Sequence, residues 1–341
     1  MSCRLLASKG IPVYAIVATL VAAAAFAGQV PSSSAKKAPA AKTWTVPRTP
    51  DGKPDLQGIW NNATLTPLER SKEFEGKPVL SEQEAVEFEK RELRNVDGDR
   101  RDGGADADVG RAYNEFWRDR GRITPDRRTS LIVDPPDGRV PPLIPAAQKR
   151  AADRAAQNRG HEFDGPENRG LAERCIAVTN AGPPMIPANY NANYQIVQTP
   201  GLVVLLSEQI HDARIISTDG RPHLPENVRQ LLGDSRGHWE GDTLVVETTN
   251  FTGRTSFRGS SEYMRLIERF TLTGPDMILY EFTVNDPETF TRPWTARIPM
   301  IRTHGPILEY ACHEGNYGLA GSLSGARAEE KSAAEAAKRS K

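Results

Sequence analysis

Residues 264–284 read MRLIERFTLTGPDMILYEFTV, and the fold turns on how this stretch is read. Two runs of alternating apolar and polar residues flank Gly274, Pro275 and Asp276, a turn signal, so the stretch is expected to form an antiparallel hairpin of two half-buried strands. Charge then selects the register. An even loop sets Glu268 against Glu281, and like charges directly opposed across a ladder are unfavourable. An odd loop sets Leu266, Glu268, Phe270 and Leu272 against Val284, Phe282, Tyr280 and Ile278 on one face, and Arg269 against Glu281 on the other. A one-residue slip exchanges the faces, so the odd register is the expected one. Trp294, Ala296, Ile298 and Met300 continue the apolar face on the following strand, and Glu268 is the one acid on that wall.

Outward from this hairpin, strands are expected at 194–198, 202–207, 213–217, 243–249, 264–272, 277–284, 292–300 and 307–312. Tight turn signals separate them, among them Pro200-Gly201, Asp219-Gly220 and Gly241-Asp242. The fold class is therefore mainly β, a β-rich α+β chain whose core is an antiparallel meander or barrel behind an irregular helical N-terminal extension. In that extension Ser81 and Glu84 form a capping box that opens a helix to about Leu93, and Pro145 opens a second helix to about Asn158. A further helix is expected over 225–232. Asn95, Asp97 and Asp99 alternate like calcium ligands, but Arg100 stands where an EF-hand requires glycine and Asp106 where it requires glutamate.

The chain has 341 residues, 26% charged, with 44 basic and 44 acidic side chains, so a nucleic-acid-binding module and a disordered polyelectrolyte are both excluded as expectations. Arg4 and Lys9, the apolar run 11–26 and Ala25-Phe26-Ala27 read as an export signal over 1–27. The expected organisation is that signal, a Pro/Ser/Ala/Lys-rich linker over 28–43 and a charged irregular and helical segment over 44–160 packing on the core. The antiparallel barrel or meander core follows over 161–325, then a solvated tail over 326–341. Loss of the signal discards Cys3 and leaves Cys175 and Cys312, an even pair in an oxidising compartment, which are expected to be bonded. The implied localisation is exported, periplasmic or secreted, with no membrane association once the signal is removed.

The stretches PDLQGIW at 54–60, DGRPHLP at 219–225, GDSRGHWEGDTLVVETTNF at 233–251 and CHEGNYGL at 312–319 resemble a large group of uncharacterised exported bacterial proteins. Gly58-Ile59-Trp60 also resembles the GxW that opens the first strand of lipocalin-type barrels, where the tryptophan closes one end of the cavity. This second resemblance implies a calycin-like barrel, although here a long segment intervenes between the GxW and the main meander.

A carboxyl on an apolar wall has its charged form disfavoured by desolvation, which suits proton transfer; Glu268 is equally readable as a buried acid satisfied by an arginine such as Arg292 or by tyrosine hydroxyls. His211, His223, His238 and His313 lie near strand ends or in loops without ligand spacing, so no metal is expected. Gly233-Asp234-Ser235-Arg236-Gly237 matches a nucleophile elbow but has a helix expected before it and a strand after, the reverse of the required order, so Ser235 is expected as a turn residue. No Walker or dinucleotide pattern occurs, and no cofactor is expected.

Two functional readings follow. The first is an exported barrel that binds an apolar or aromatic small molecule against Phe270, Tyr280, Phe282 and Trp294. The alternative is a cofactor-independent lyase, isomerase or hydrolase in which Glu268 moves a proton and His211 or His223 polarises the substrate. A docking role for the charged N-terminal half is a third. Expressed with its own leader in a bacterial host, the exported protein is expected to begin at Gly28; an intact mass corresponding to a start at Met1 would refute the signal.

Overall fold

The computed structural model describes residues 44–106, 115–178, 181–254 and 257–340; the expected signal (1–27) and linker (28–43) lie outside them. In chain order the elements are β1 (Gly58–Asn61), α1 (Glu82–Val96), β2 (Ile132–Asp134), α2 (Pro145–Asn158), β3 (Asn193–Thr199), β4 (Leu202–Ser207) and β5 (Ala213–Ser217). They continue with β6 (Asp234–Glu240), β7 (Thr243–Thr249), β8 (Arg265–Gly274), β9 (Met277–Asn285), β10 (Trp294–Thr303) and α3 (Tyr317–Arg339). The capping box at Ser81 and Glu84 opens α1 as the sequence implies, and Pro145 stands at the first turn of α2.

All ten strands join one sheet in the order β1-β3-β4-β5-β6-β7-β8-β9-β10-β2, and β1 also pairs with β10. That pairing closes a nine-strand barrel with β2 as an extra strand, the calycin-like architecture expected from the sequence. The 44–160 segment therefore supplies two strands, one of which closes the barrel. Every ladder is antiparallel except β5 with β6, which is parallel and holds by a single pairing, Ser217 with Arg236. A parallel pair needs a crossover, and residues 218–233 supply it.

The hairpin has the odd register: Glu268 faces Phe282, Arg269 faces Glu281 and Phe270 faces Tyr280. Trp294, Ala296, Ile298 and Met300 extend the inner face opposite Val284, Phe282, Tyr280 and Ile278. All of these inner side chains are fully buried. On the outer face Arg269 does not bond its facing Glu281. It pairs with Glu240 of β6, and Glu281 pairs with Arg297 of β10.

Three expectations are corrected. Residues 307–312 form no strand, because the outer edge of β10 is already occupied, by β2 near Thr295 and by β1 from Ile301 to Thr303. Residues 225–232 form turns rather than a helix; the Asn250 amide donates to the carbonyls of Leu224, Pro225 and Val228, satisfying them without helical bonds. Ser235 is not in a turn but on β6, pointing inward. That strand escaped the apolar pattern because its inner positions are Ser235 and Gly237, and a Cβ on Gly237 would lie 2.9 Å from Ile216. The tail belongs to a helix, α3, that begins before it, at Tyr317, and has no buried residue.

Trp60, paired with Arg302 near the end of β10, is fully buried on β1, and its Nε1 donates to Leu56 O at 2.9 Å. The Arg302 guanidinium of β10 lies 4.2 Å from the Trp60 ring centroid and donates to Gln57 O at 3.1 Å. Gly58 makes this possible: its φ is 131°, and a Cβ there would lie 2.4 Å from Arg302 Nη1. Gly58→Ala is expected to destabilise the protein by about 1–3 kcal/mol in urea unfolding, from backbone strain together with displacement of the guanidinium. In an Arg302→Ala background the same change should cost less, since only the backbone strain remains.

Candidate functional site

Glu268 projects from the middle of β8 into the barrel and is fully buried. Its carboxylate receives a bidentate pair of bonds from Arg214 of β5, Nη1 to Oε1 at 3.1 Å and Nη2 to Oε2 at 2.6 Å. The Tyr280 hydroxyl donates to the same Oε1 at 2.8 Å and accepts from Met185 N at 3.0 Å. Arg214 Nη2 also reaches Ser235 Oγ at 3.4 Å, and Ser235 bonds Thr248 at 2.9 Å. Burial pushes the Tyr280 phenol well above its usual pKa, and the neighbouring carboxylate adds to the shift, so the hydroxyl stays protonated and donates. Burial opposes the Arg214 charge, but the Glu268 carboxylate more than offsets this and holds the guanidinium above its ordinary value.

The expected partner type is therefore found, an arginine with a tyrosine hydroxyl, but the arginine is Arg214. Arg292 instead pairs with Asp134 at 2.8 Å on the outside. No histidine bonds to Glu268. His211 is exposed at the β4–β5 loop, where it and Ile210 adopt positive φ. His223 lies outside the barrel with Nδ1 2.8 Å from Asp234, a carboxylate that also pairs with Arg236 at 2.7 Å. Glu268, His211 and His223 do not converge; Glu268 is engaged by Arg214 and Tyr280, and His223 by Asp234. No group of three or more potential metal ligands occurs among the described residues.

The aromatic residues expected to face a ligand form the core itself. Phe270 and Tyr280 rings lie 4.9 Å apart, Tyr280 and Phe282 5.9 Å, and Phe282 and Trp294 5.6 Å. The interior cavity beside Arg214, lined also by Tyr194 and Ser207, measures about 10 Å³, the space of a single water.

A larger cavity than this, though not the largest among the described residues, lies at the end opposite Trp60, where β7 ends and β8 begins. It measures about 250 Å³, and Leu171, Val178, Leu231, Leu232, Phe251 and Phe257 give it apolar walls. Phe257 joins it to the core, stacking on Trp294 at 5.9 Å and meeting Phe282 edge-on at 6.3 Å. One wall, 170–178, is anchored by the Cys175–Cys312 disulfide, which has the expected pairing and a Cα separation of 5.7 Å. Asn316 Nδ2 adds a bond to Glu173 O at 2.7 Å. These walls come from loops whose residues show no periodicity, so the sequence gives no signal for the cavity.

Comparison with known proteins finds no matching family model, no curated protein with significant similarity and no solved structure that matches significantly.

Glu268→Gln is expected to destabilise the fold by about 3–5 kcal/mol, because it strands a buried guanidinium without its counter-charge. Replacing both partners, Arg214→Met with Glu268→Leu, should recover most of that loss in urea unfolding. Equal destabilisation by the single and double variants would contradict the ion-pair account.

Proposed function

We propose that this is an exported binding protein that holds a compact apolar or aromatic small molecule at the open end of its barrel. The observation that carries the reading is the cavity of about 250 Å³ with Phe251 and Phe257 in its wall. Its size lies just below the roughly 300 Å³ at which ligand clefts ordinarily begin, which suits a body of one or two rings. The walls are pre-formed: Phe257 is fixed against Trp294, and the opposite side is anchored through Cys175. Pre-formed apolar walls reduce the ordering cost of binding. Ligand is held at the mouth rather than among Phe270, Tyr280, Phe282 and Trp294, because those side chains already fill the interior.

Export rests on the charged and apolar leader in the sequence and agrees with the disulfide, since such bonds persist in oxidising compartments. Among the described residues no helix is long and apolar enough to cross a membrane.

The test is fluorescence titration with N-phenyl-1-naphthylamine, a neutral probe that brightens in apolar surroundings. Saturable enhancement is expected, and Ala177→Trp, which fills the cavity from its wall, should weaken it by about tenfold or more. Phe270→Leu, which alters only the barrel interior, should lower stability and leave probe affinity near wild type. Absence of enhancement, or loss on Phe270→Leu with none on Ala177→Trp, would overturn the reading.

A further inference from the structure

The mouth of the cavity differs in chemistry from its walls. Gly170, Leu171 and Arg254 line both the apolar cavity and an adjoining cleft of about 420 Å³. The two spaces therefore adjoin, with these residues between them. Four arginines line the cleft, Arg154, Arg169, Arg174 and Arg254, against one acid, Glu167.

These arginines arrive from separate parts of the chain: Arg154 from α2, Arg169 and Arg174 from the segment anchored at Cys175, and Arg254 from the loop after β7. Arg169 is already engaged, paired with Glu173 at 2.6 Å and stacked 4.5 Å over the Phe163 ring. The side chains of Arg154, Arg174 and Arg254 have no hydrogen-bond or ion-pair partner among the described residues. Single unpaired arginines such as Arg94 and Arg139 occur elsewhere, and many others, among them Arg48, Arg91, Arg269 and Arg297, meet a carboxylate; here three share one cleft. That grouping does not reflect a basic protein, since basic and acidic residues balance at 44 each. With Arg169 paired to Glu173, three arginines against the single acid Glu167 leave an excess of positive charge, and an anion in the cleft relieves the repulsion among them. Guanidinium groups suit the purpose, because their paired N–H donors match the two oxygens of an oxyanion.

We infer that the ligand is an amphipathic organic anion, with a compact apolar body in the cavity and one terminal oxyanion group held in the cleft by Arg154, Arg174 and Arg254. This inference rests on the binding reading above and specifies the ligand class for that site. A cavity of about 250 Å³ is too small for the paired acyl chains of a membrane lipid, so a small free acid is the class that fits.

The experiment compares 1-naphthoate with 1-naphthamide by titration calorimetry; the two share size and ring system and differ in charge. Naphthoate is expected to bind about tenfold or more tightly than the amide, with the difference shrinking as salt is raised. The double variant Arg154→Gln/Arg174→Gln, which leaves the apolar walls intact, should erase the difference while leaving amide affinity and melting temperature near wild type. Equal affinity of the two compounds for the wild-type protein, or a difference that survives in the double variant, overturns the anion site and leaves the apolar cavity standing. Binding of N-phenyl-1-naphthylamine without binding of either naphthyl compound also overturns the anion site. Failure of all three to bind removes the cavity reading and this inference with it.

Discussion

The barrel depends on one bond pattern across its interior, the bidentate pair between Arg214 and Glu268. The sheet is weakest between β5 and β6, where a single parallel pairing holds two strands side by side. Arg214 leaves β5 at that seam and reaches over it to Glu268 on β8, while the same Glu268 accepts from Tyr280 on β9. Ser235 and Thr248 extend the chain of polar contacts onto β6 and β7. The seam is thus spanned by charge-assisted bonds among buried groups, where they are stronger than at the surface. A buried pair of this kind contributes modest net stability over an apolar filling, but losing one partner is expensive.

With the interior filled in this way, the two ends of the barrel have different roles. Near one end the Arg302 guanidinium lies over the buried Trp60 ring, permitted by the absent Cβ of Gly58. At the other end the aromatic core emerges through Phe257 into a space bounded by loops. Those loops are held by means other than a hydrogen-bond ladder: the Cys175–Cys312 disulfide, the Asn250 amide under three carbonyls, and Asn316 on Glu173. Rigid strands beneath and anchored loops above are the arrangement in which binding sites are commonly found.

The outer face of the barrel is stitched laterally rather than in isolated pairs. Arg269 bonds Glu240, Arg297 bonds Glu281 and Arg265 bonds Glu247, while Thr243 with Thr271 and Thr283 with Thr295 link neighbouring strands. These half-exposed contacts each contribute little energy, but they disfavour a slipped register, in which like charges would face one another.

The sequence by itself determined what is local or repetitive. Alternation and the opposed glutamates settled the β8–β9 register, because a slip by one residue turns every side chain to the wrong face. Ser81 with Glu84 marked the start of α1, Pro145 that of α2, and the two cysteines left after the leader pointed to one bond. Tertiary structure alone decided the rest. Arg214 lies 54 residues from Glu268 and meets it only because the barrel closes, and nothing in its own strand marks it as the partner in place of Arg292. β6 carries serine and glycine inward because of what packs behind it, so its pattern reads as a turn. Residues 225–232 lost their helix to an amide from Asn250, and 307–312 lost a strand to β1 and β2 on the edge they would have used. The cavity and its arginines are assembled from α2, the disulfide-anchored segment and the loop after β7, which share no sequence pattern and are brought together only by closure of the barrel.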